Sequence, residues 1–319
     1  MGAQLRVYRR RVRTVQSTKK ITKAMELIAT SRIAKAQARM KAARPYVEEL
    51  TRALAALGRN ATLRHPMLTG VESPRRAGIV MITSDRGLAG GYSANVIKRA
   101  NELAARLERE GKEPVRYVIG RKGVGYYRFR NIPVIGSWTG FSEQPTFVDA
   151  RDATETVVRA LQATSEGNTG TDENPQPGID ELYVVYTRFE SMITQIPTVA
   201  QVAPVASADN PGGVAADAEA DESPESQALY EFEPEAELLI DALLPRYISA
   251  RLFSALLEAA ASESAARRRA MKSASDNADD LIRTYTRLAN QARQAEITQE
   301  ISEIVGGADA LAAAGSEEQ

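Results

Sequence analysis

The sequence predicts an α/β chain whose two ends are long helices and whose middle is a layered domain of strands and helices. From Arg246 to Val305 sixty residues pass without glycine or proline, and from Ala3 to Arg44 another forty-two do. Between these stretches, short apolar runs of strand type alternate with segments of helical periodicity. At about 1.5 Å of rise per residue the C-terminal stretch alone reaches roughly 90 Å, twice the width of a compact domain of this size. One helix is therefore expected to project beyond any core.

In the N-terminal helix the apolar residues Ile21, Met25 and Ile28, then Ile33, Ala36 and Met40, then Val47, Leu50, Leu54 and Leu57 recur at spacings of three and four. Phase slips separate the groups, the pattern of an imperfect coiled-coil seam. Pro45 is expected to bend or interrupt the helix. The C-terminal helix repeats the pattern in Leu281, Tyr285, Leu288, Ala292 and Ala295. Ordinary bundle packing would give similar stripes, but their length favours a two-helix coiled coil.

In the middle, Ala77–Thr83 is a continuous apolar run bounded by turn residues, and a helical pattern follows to about Glu110. Arg116–Ile119, Ile132–Ile135 and Glu181–Arg188 read as further strands, Phe147–Ala163 as a helix, and Ile196–Val205 as a strand that Pro197 and Pro204 push to a sheet edge. Alternation of this kind predicts a largely parallel sheet covered by helices. Glu166–Gly178 is polar and Ala208–Ser226 acidic; both read as loops. The expected divisions are residues 1–58, a central domain at 74–206 with a polar insertion at 166–178, an acidic linker at 207–226, and a C-terminal helix at 227–306 that pairs with 1–58.

The formal charge balances at 41 basic and 41 acidic residues, yet residues 1–44 hold thirteen Lys or Arg and one acid, Glu26, while 209–237 hold ten acids and no Lys or Arg. The basic helix could neutralise nucleic-acid phosphates or meet acidic protein surfaces. Tyr8 and Tyr46 are its only aromatics, which leaves little for bases to stack on. A basic coiled-coil nucleic-acid binder or scaffold is the alternative this charge pattern keeps open.

Catalytic chemistry has few places to reside. There is no cysteine and one histidine, so thiolate sites, Ser-His-Asp or Cys-His constellations and a histidine-based zinc site have no residues to draw on. His65, before Pro66, reads as an exposed turn residue. The strand-to-helix turn Ser84–Gly91 sits where α/β proteins cradle phosphates, but it lacks the lysine and Ser/Thr of a phosphate loop, and its glycines do not fit dinucleotide spacing. Its glycines are read as permitting a tight turn. No cofactor is expected. No apolar run approaches the roughly 20 residues that cross a bilayer, and the Arg-rich start continues the helical pattern rather than forming a transit peptide; a soluble intracellular chain is expected.

Two stretches carry a family resemblance. Lys19–Ala29 (KKITKAMELIA) and Ala292–Val305 (ARQAEITQEISEIV) resemble the N- and C-terminal signatures of the gamma subunits of F-type ATP synthases, and SDRGLAGGY and MKSASDNADDLI match as well. The resemblance covers nearly the whole chain, with the polar insertion looking like that of actinobacterial members. It implies an antiparallel coiled coil of the terminal helices above a central Rossmann-like α/β domain, and a non-catalytic rotor that couples proton-driven rotation to ATP synthesis. The implied partners are three alpha and three beta subunits, the epsilon subunit and the membrane c-ring, with no nucleic acid. The implied location is peripheral, at the cytoplasmic face of the cell membrane. Contacts to the alpha/beta ring map onto Met25, Arg293, Gln294 and Thr298; Tyr230 and Phe232 map onto the foot near the c-ring and epsilon. Met25 serves equally well as a seam residue. Small outward residues near the C-terminus, Ala292, Ala295 and Ala308, fit a shaft that must turn without sticking.

Overall fold

A computed structural model describes residues 2–58, 65–171, 174–205 and 236–316. The elements are α1 (Gly2–Gly58), α2 (Pro66–Thr69), β1 (Arg76–Ile82), α3 (Tyr92–Arg109), β2 (Glu113–Ile119), α4 (Arg121–Phe129), β3 (Gly136–Trp138), α5 (Phe147–Ala163), β4 (Asn168–Thr171), β5 (Asn174–Pro177), β6 (Glu181–Phe189), β7 (Gln195–Ala203) and α6 (Ala236–Ser316). The chain divides into two compact units. One consists of α1 up to Ile28 with α6 from Arg269 onwards; the other runs from Ala29 to Arg268.

The larger unit is built on a five-stranded sheet ordered β3-β2-β1-β6-β7, parallel except for β7. The period-two geometry of a strand explains why β1 is apolar throughout: successive residues face opposite sides, and both sides are covered. Val80 and Ile82, with Tyr117, Ile119 and Val184, pack against α5, the end of α1 (Leu50, Leu54, Leu57) and the start of α6 (Ile240 to Ala259). Ile79 and Met81, with Val118, Tyr183 and Val185, pack against α3 and Tyr127 of α4. The helix α5 starts on a capping box, in which the Thr146 hydroxyl accepts from the Asp149 amide and the Asp149 carboxylate accepts from the Thr146 amide. β7 takes the sheet edge expected of its prolines.

Three expectations are corrected. Ile132–Ile135 forms no strand; the ladder with β2 begins at Gly136, opposite Tyr117. Ile132 and Val134 instead pack as an irregular segment against the α3 side, and the Ile135 amide bonds the Arg116 carbonyl of β2. Pro45 does not interrupt α1, which continues to Gly58; it lies on the exposed side, where a carbonyl deprived of its helical partner meets water. The Glu166–Gly178 insertion contains the antiparallel hairpin β4–β5. The acidic linker lies outside the described residues.

The smaller unit is helical. The Lys19 ammonium pairs with Asp279, the Thr22 hydroxyl bonds that of Ser275, and the Arg11 guanidinium lies over the Tyr285 ring. Residue numbers climb on α1 as they fall on α6, so the pair is antiparallel.

The repeat itself differs from the one expected. Ile21 and Ile28 are 61% and 53% exposed, and Leu281 is 45% exposed. Beside the buried or half-buried Met25, Arg32, Glu48, Thr51 and Ala53, one series of such positions along α1 runs Leu5, Tyr8, Val12, Val15, Lys19, Thr22, Glu26, Ala29, Ile33, Ala36, Met40, Ala43, Val47, Leu50, Leu54 and Leu57. Their spacing alternates three and four without a slip. On α6 they include Met271, Ser275, Ala278, Ile282, Tyr285, Ala289 and Ala292, in the same alternation. The seam is a regular heptad repeat whose middle is polar.

Candidate functional site

Met25 lies half-buried beside the seam, between the buried Thr22 and Glu26, and is not one of its knobs. It shares the outward side of α1 with Ile21 and Ile28, four and three residues away, an apolar stripe that the seam does not use. Arg293, Gln294 and Thr298 are exposed on α6. Thr298 donates its hydroxyl to the Gln294 backbone carbonyl one turn earlier, at 2.9 Å. On the antiparallel register Met25 faces the neighbourhood of Lys272, so about 30 Å of helix separates it from Arg293. The structure thus groups Arg293, Gln294 and Thr298 and leaves Met25 apart from them. Tyr230 and Phe232 lie outside the described residues.

The outward face near the end of α6 is not uniformly small. Ala292 is half-buried in the seam, and nothing is described of the Ala308 side chain. Ile297, Ile301 and Ile304 are exposed at the same four-and-three spacing as the α1 stripe, Ile304 to 72%. Both helices of the pair thus carry exposed isoleucines that their own seam does not use.

The Ser84–Gly91 turn holds the larger unit together and offers no phosphate cradle. The Asp85 carboxylate accepts from the backbone amides of Arg121, Gly140 and Ser142, and the Asp85 amide donates to the Ser142 hydroxyl. Two carbonyls of the turn, those of Arg86 and Gly87, accept from the Arg267 guanidinium of α6 at 3.4 and 3.3 Å. Arg267 also pairs with Glu263, one turn earlier, at 2.7 Å. Burial pushes the Glu263 carboxyl above its usual range, and Arg267 acts against that shift. Alongside, the Tyr92 hydroxyl donates to the Ala259 carbonyl, and burial raises its pKa well above the ordinary tyrosine value. Arg267 has no periodic or motif signal in sequence; it stands in a run of three arginines, of which only this one is fully turned inward.

His65 precedes α2 and is half-buried, not exposed as expected. Its Nδ1 accepts from the Met67 amide, and its Nε2 lies 3.2 Å from Asp241 of α6. Among the described residues no group of His, Asp or Glu is placed to hold a metal ion, and no helix is long and apolar enough to cross a membrane.

The ATP synthase family model matches residues 4–311. This chain belongs to the ATP synthase gamma family. It is similar to the ATP synthase gamma chain of Salinispora tropica, 57% identical over 99% of this chain and all of the relative. It is also similar to those of Saccharopolyspora erythraea, at 56% over 99% of this chain and all of the relative, and of a Mycobacterium species, at 54% over 98% of both. Among solved structures, the fold resembles a chain of the Euglena gracilis mitochondrial ATP synthase, with a TM-score of 0.64 at 16% identity over 98% of this chain and 95% of that one. A second likeness is to a chain of the Tetrahymena thermophila mitochondrial ATP synthase central stalk and c-ring, with a TM-score of 0.53 at 22% identity over 80% of this chain and 99% of that one. The gamma chain is a non-catalytic, central-stalk subunit, in keeping with the helical pair and the α/β sheet. Family membership decides against the nucleic-acid reading of the basic helix.

Proposed function

We propose that this chain is the rotor of an ATP synthase, turning inside a ring of three alpha and three beta subunits while its α/β domain meets the epsilon subunit and the c-ring. Proton flow drives the c-ring, and the turning coiled coil imposes successive conformations on the nucleotide sites of the ring. The assembly stands at the cytoplasmic face of the cell membrane, with this chain bound peripherally. The observation that carries this reading is the pair of apolar stripes, the exposed Ile21 and Ile28 flanking the half-buried Met25 and the exposed Ile297, Ile301 and Ile304, on helices whose seam lies elsewhere. Met25, Arg293, Gln294 and Thr298 then contact the ring at two heights along the shaft. A sliding apolar contact suits the unbranched Met25 side chain, and Arg293 and Gln294 offer hydrogen bonds that form at one angle and break at the next. The β4–β5 hairpin adjusts rotor contacts at the foot; a tolerated surface insertion is the plainer reading. Tyr230 and Phe232 belong to that foot.

Reconstitution tests the proposal. The purified chain should hydrolyse no ATP, and adding it to gamma-depleted alpha/beta complex on depleted membranes should restore ATP-driven proton pumping. Hydrolysis by the pure chain, or hydrolysis by the mixture with no pumping, overturns it.

A further inference from the structure

Below the level of Ala29, α1 and α6 are held to the sheet of the larger unit by different means along their length. Towards the end of α1 the contact is apolar, through Leu50, Leu54 and Leu57. Nearer Ala29 it becomes ionic, and one carboxylate gathers the charges. Glu143 stands in the short segment between β3 and α5, with its side chain only 13% exposed. Its Oε1 lies 3.1 Å from Arg267 of α6. Its Oε2 pairs with Arg32 of α1 and lies 3.7 Å from Arg86 of the Ser84–Gly91 turn. Arg267 is 5% exposed and its second partner, Glu263, not at all. The segment carrying Glu143 is itself fixed, since Ser142 and Asp85 exchange hydrogen bonds in both directions.

We propose that Glu143 is a positioning residue for rotation, a carboxylate that keys the α/β domain to both terminal helices so that a turning force on the sheet reaches α1 and α6 together. The inference rests on the rotor reading above. A buried ion cluster is a poor device for stability alone, because apolar residues of equal volume fill such a space as well or better. What the charges add is a tie between elements: a carboxylate drawn by guanidinium groups from both helices, Arg32 through a hydrogen bond and Arg267 as an ion pair, resists their separate movement, whereas apolar packing lets side chains shift. The charges also explain the three arginines. Arg32 and Arg86 neutralise Glu143 from outside, and Arg267 serves Glu143 and Glu263 at once. Neither Glu143 nor its partners lies in the stripes proposed to touch the ring, so the residue acts through the shaft and not on a partner.

The test uses the assembled enzyme in inverted membrane vesicles and compares two variants with wild type. Glu143→Gln keeps the shape and removes the charge; Arg32→Met removes only the link to α1 and leaves Glu143 paired with Arg267. For each, ATP hydrolysis and ATP-driven proton pumping are measured on the same vesicles, with the amount of assembled complex. At matched assembly, protons pumped per ATP should fall about fivefold in Glu143→Gln, the low end of what a coupling between distant sites carries, and should fall measurably in Arg32→Met. If Glu143→Gln assembles and pumps with the wild-type ratio, the proposal is overturned. If Glu143→Gln fails to assemble and Arg32→Met keeps the wild-type ratio, it is equally overturned, since the cluster is then only structural. Failure of the rotor reading shows separately, as a wild-type chain that does not restore pumping.

Discussion

The hydroxyls of Thr22 and Ser275 lie 2.7 Å apart in the buried seam of the helical unit, each residue less than a tenth exposed. Two hydroxyls at facing seam positions satisfy each other only when the helices are in one register, so the pair specifies alignment where the flanking seam residues, Lys19 and Glu26, are also polar. Thr22→Val should cost roughly 1–2 kcal/mol by leaving Ser275 without this partner, and the double change Thr22→Val with Ser275→Ala should recover much of that loss. A double-mutant cycle by urea unfolding measures the difference; strictly additive losses would mean the hydroxyls do not interact.

Gly120, at the end of β2, has φ of +100°, and a Cβ there would stand 2.1 Å from the Thr83 carbonyl oxygen. Gly120→Ala should destabilise the larger unit by about 3 kcal/mol or more, since both the backbone and the space forbid it. Gly125, inside α4, has nothing within 4 Å of its added Cβ. Gly125→Ala should stabilise by about 0.5–1 kcal/mol through helix propensity. Thermal unfolding of the two variants should move in opposite directions.

The Asp180 carboxylate accepts from the amides of Arg75, Arg76 and Ser165. Burial alone would raise its pKa, but those three bonds prevail and hold it below 3.8. A folded-state pKa below the unfolded one contributes stability that is complete above 3.8 and is lost as pH falls through the lower folded value. Asp180→Asn should therefore cost roughly 1–3 kcal/mol near neutral pH, with the gap to wild type closing as pH falls through the lowered folded-state value. Urea titrations at several pH values check the sign; a gap that widens in acid would contradict it.

The ends of the β4–β5 hairpin are already tied. Outside the hairpin, the Ile179 amide donates to the Ala160 carbonyl, and the Ser165 amide donates to the Asp180 carboxylate. Deleting residues 166–178 should therefore leave folding and assembly intact. If the hairpin adjusts rotor contacts, the deletion changes the ratio of ATP synthesis to hydrolysis in membranes. Unchanged rates in both directions leave only a tolerated insertion.

Met25→Lys should preserve the fold, because Met25 flanks the seam without entering it. A cation there can grip an acidic partner residue at one rotor angle, and a barrier of about 1.4 kcal/mol slows the step tenfold. Coupled ATP synthesis should fall more than assembly does. A variant that makes ATP as efficiently as wild type would place Met25 outside the contact surface.

The long helical ends, the α/β middle and the lack of catalytic chemistry were legible in the sequence, because each rests on local signals: the absence of Gly and Pro, strand-length apolar runs, and the near absence of Cys and His. The phase of the seam was not. Counting apolar residues selects Ile21, Met25 and Ile28, whereas the buried positions are Thr22, Glu26 and Ala29, because a threonine enters a seam only when a hydroxyl 253 positions away meets it. Ile132–Ile135 misled for a related reason, since burial and strand pairing leave the same apolar trace.

The candidate site divides in the same way. The motifs at Lys19–Ala29 and Ala292–Val305 locate the shaft without its geometry, and the tertiary structure decides which of their residues face outward. Glu143 and Arg267 carry no periodicity and no motif. Their roles arise from ionic contacts joining α1, the Ser84–Gly91 turn and α6, and the energy of such contacts depends on burial and distance, which only the folded chain defines.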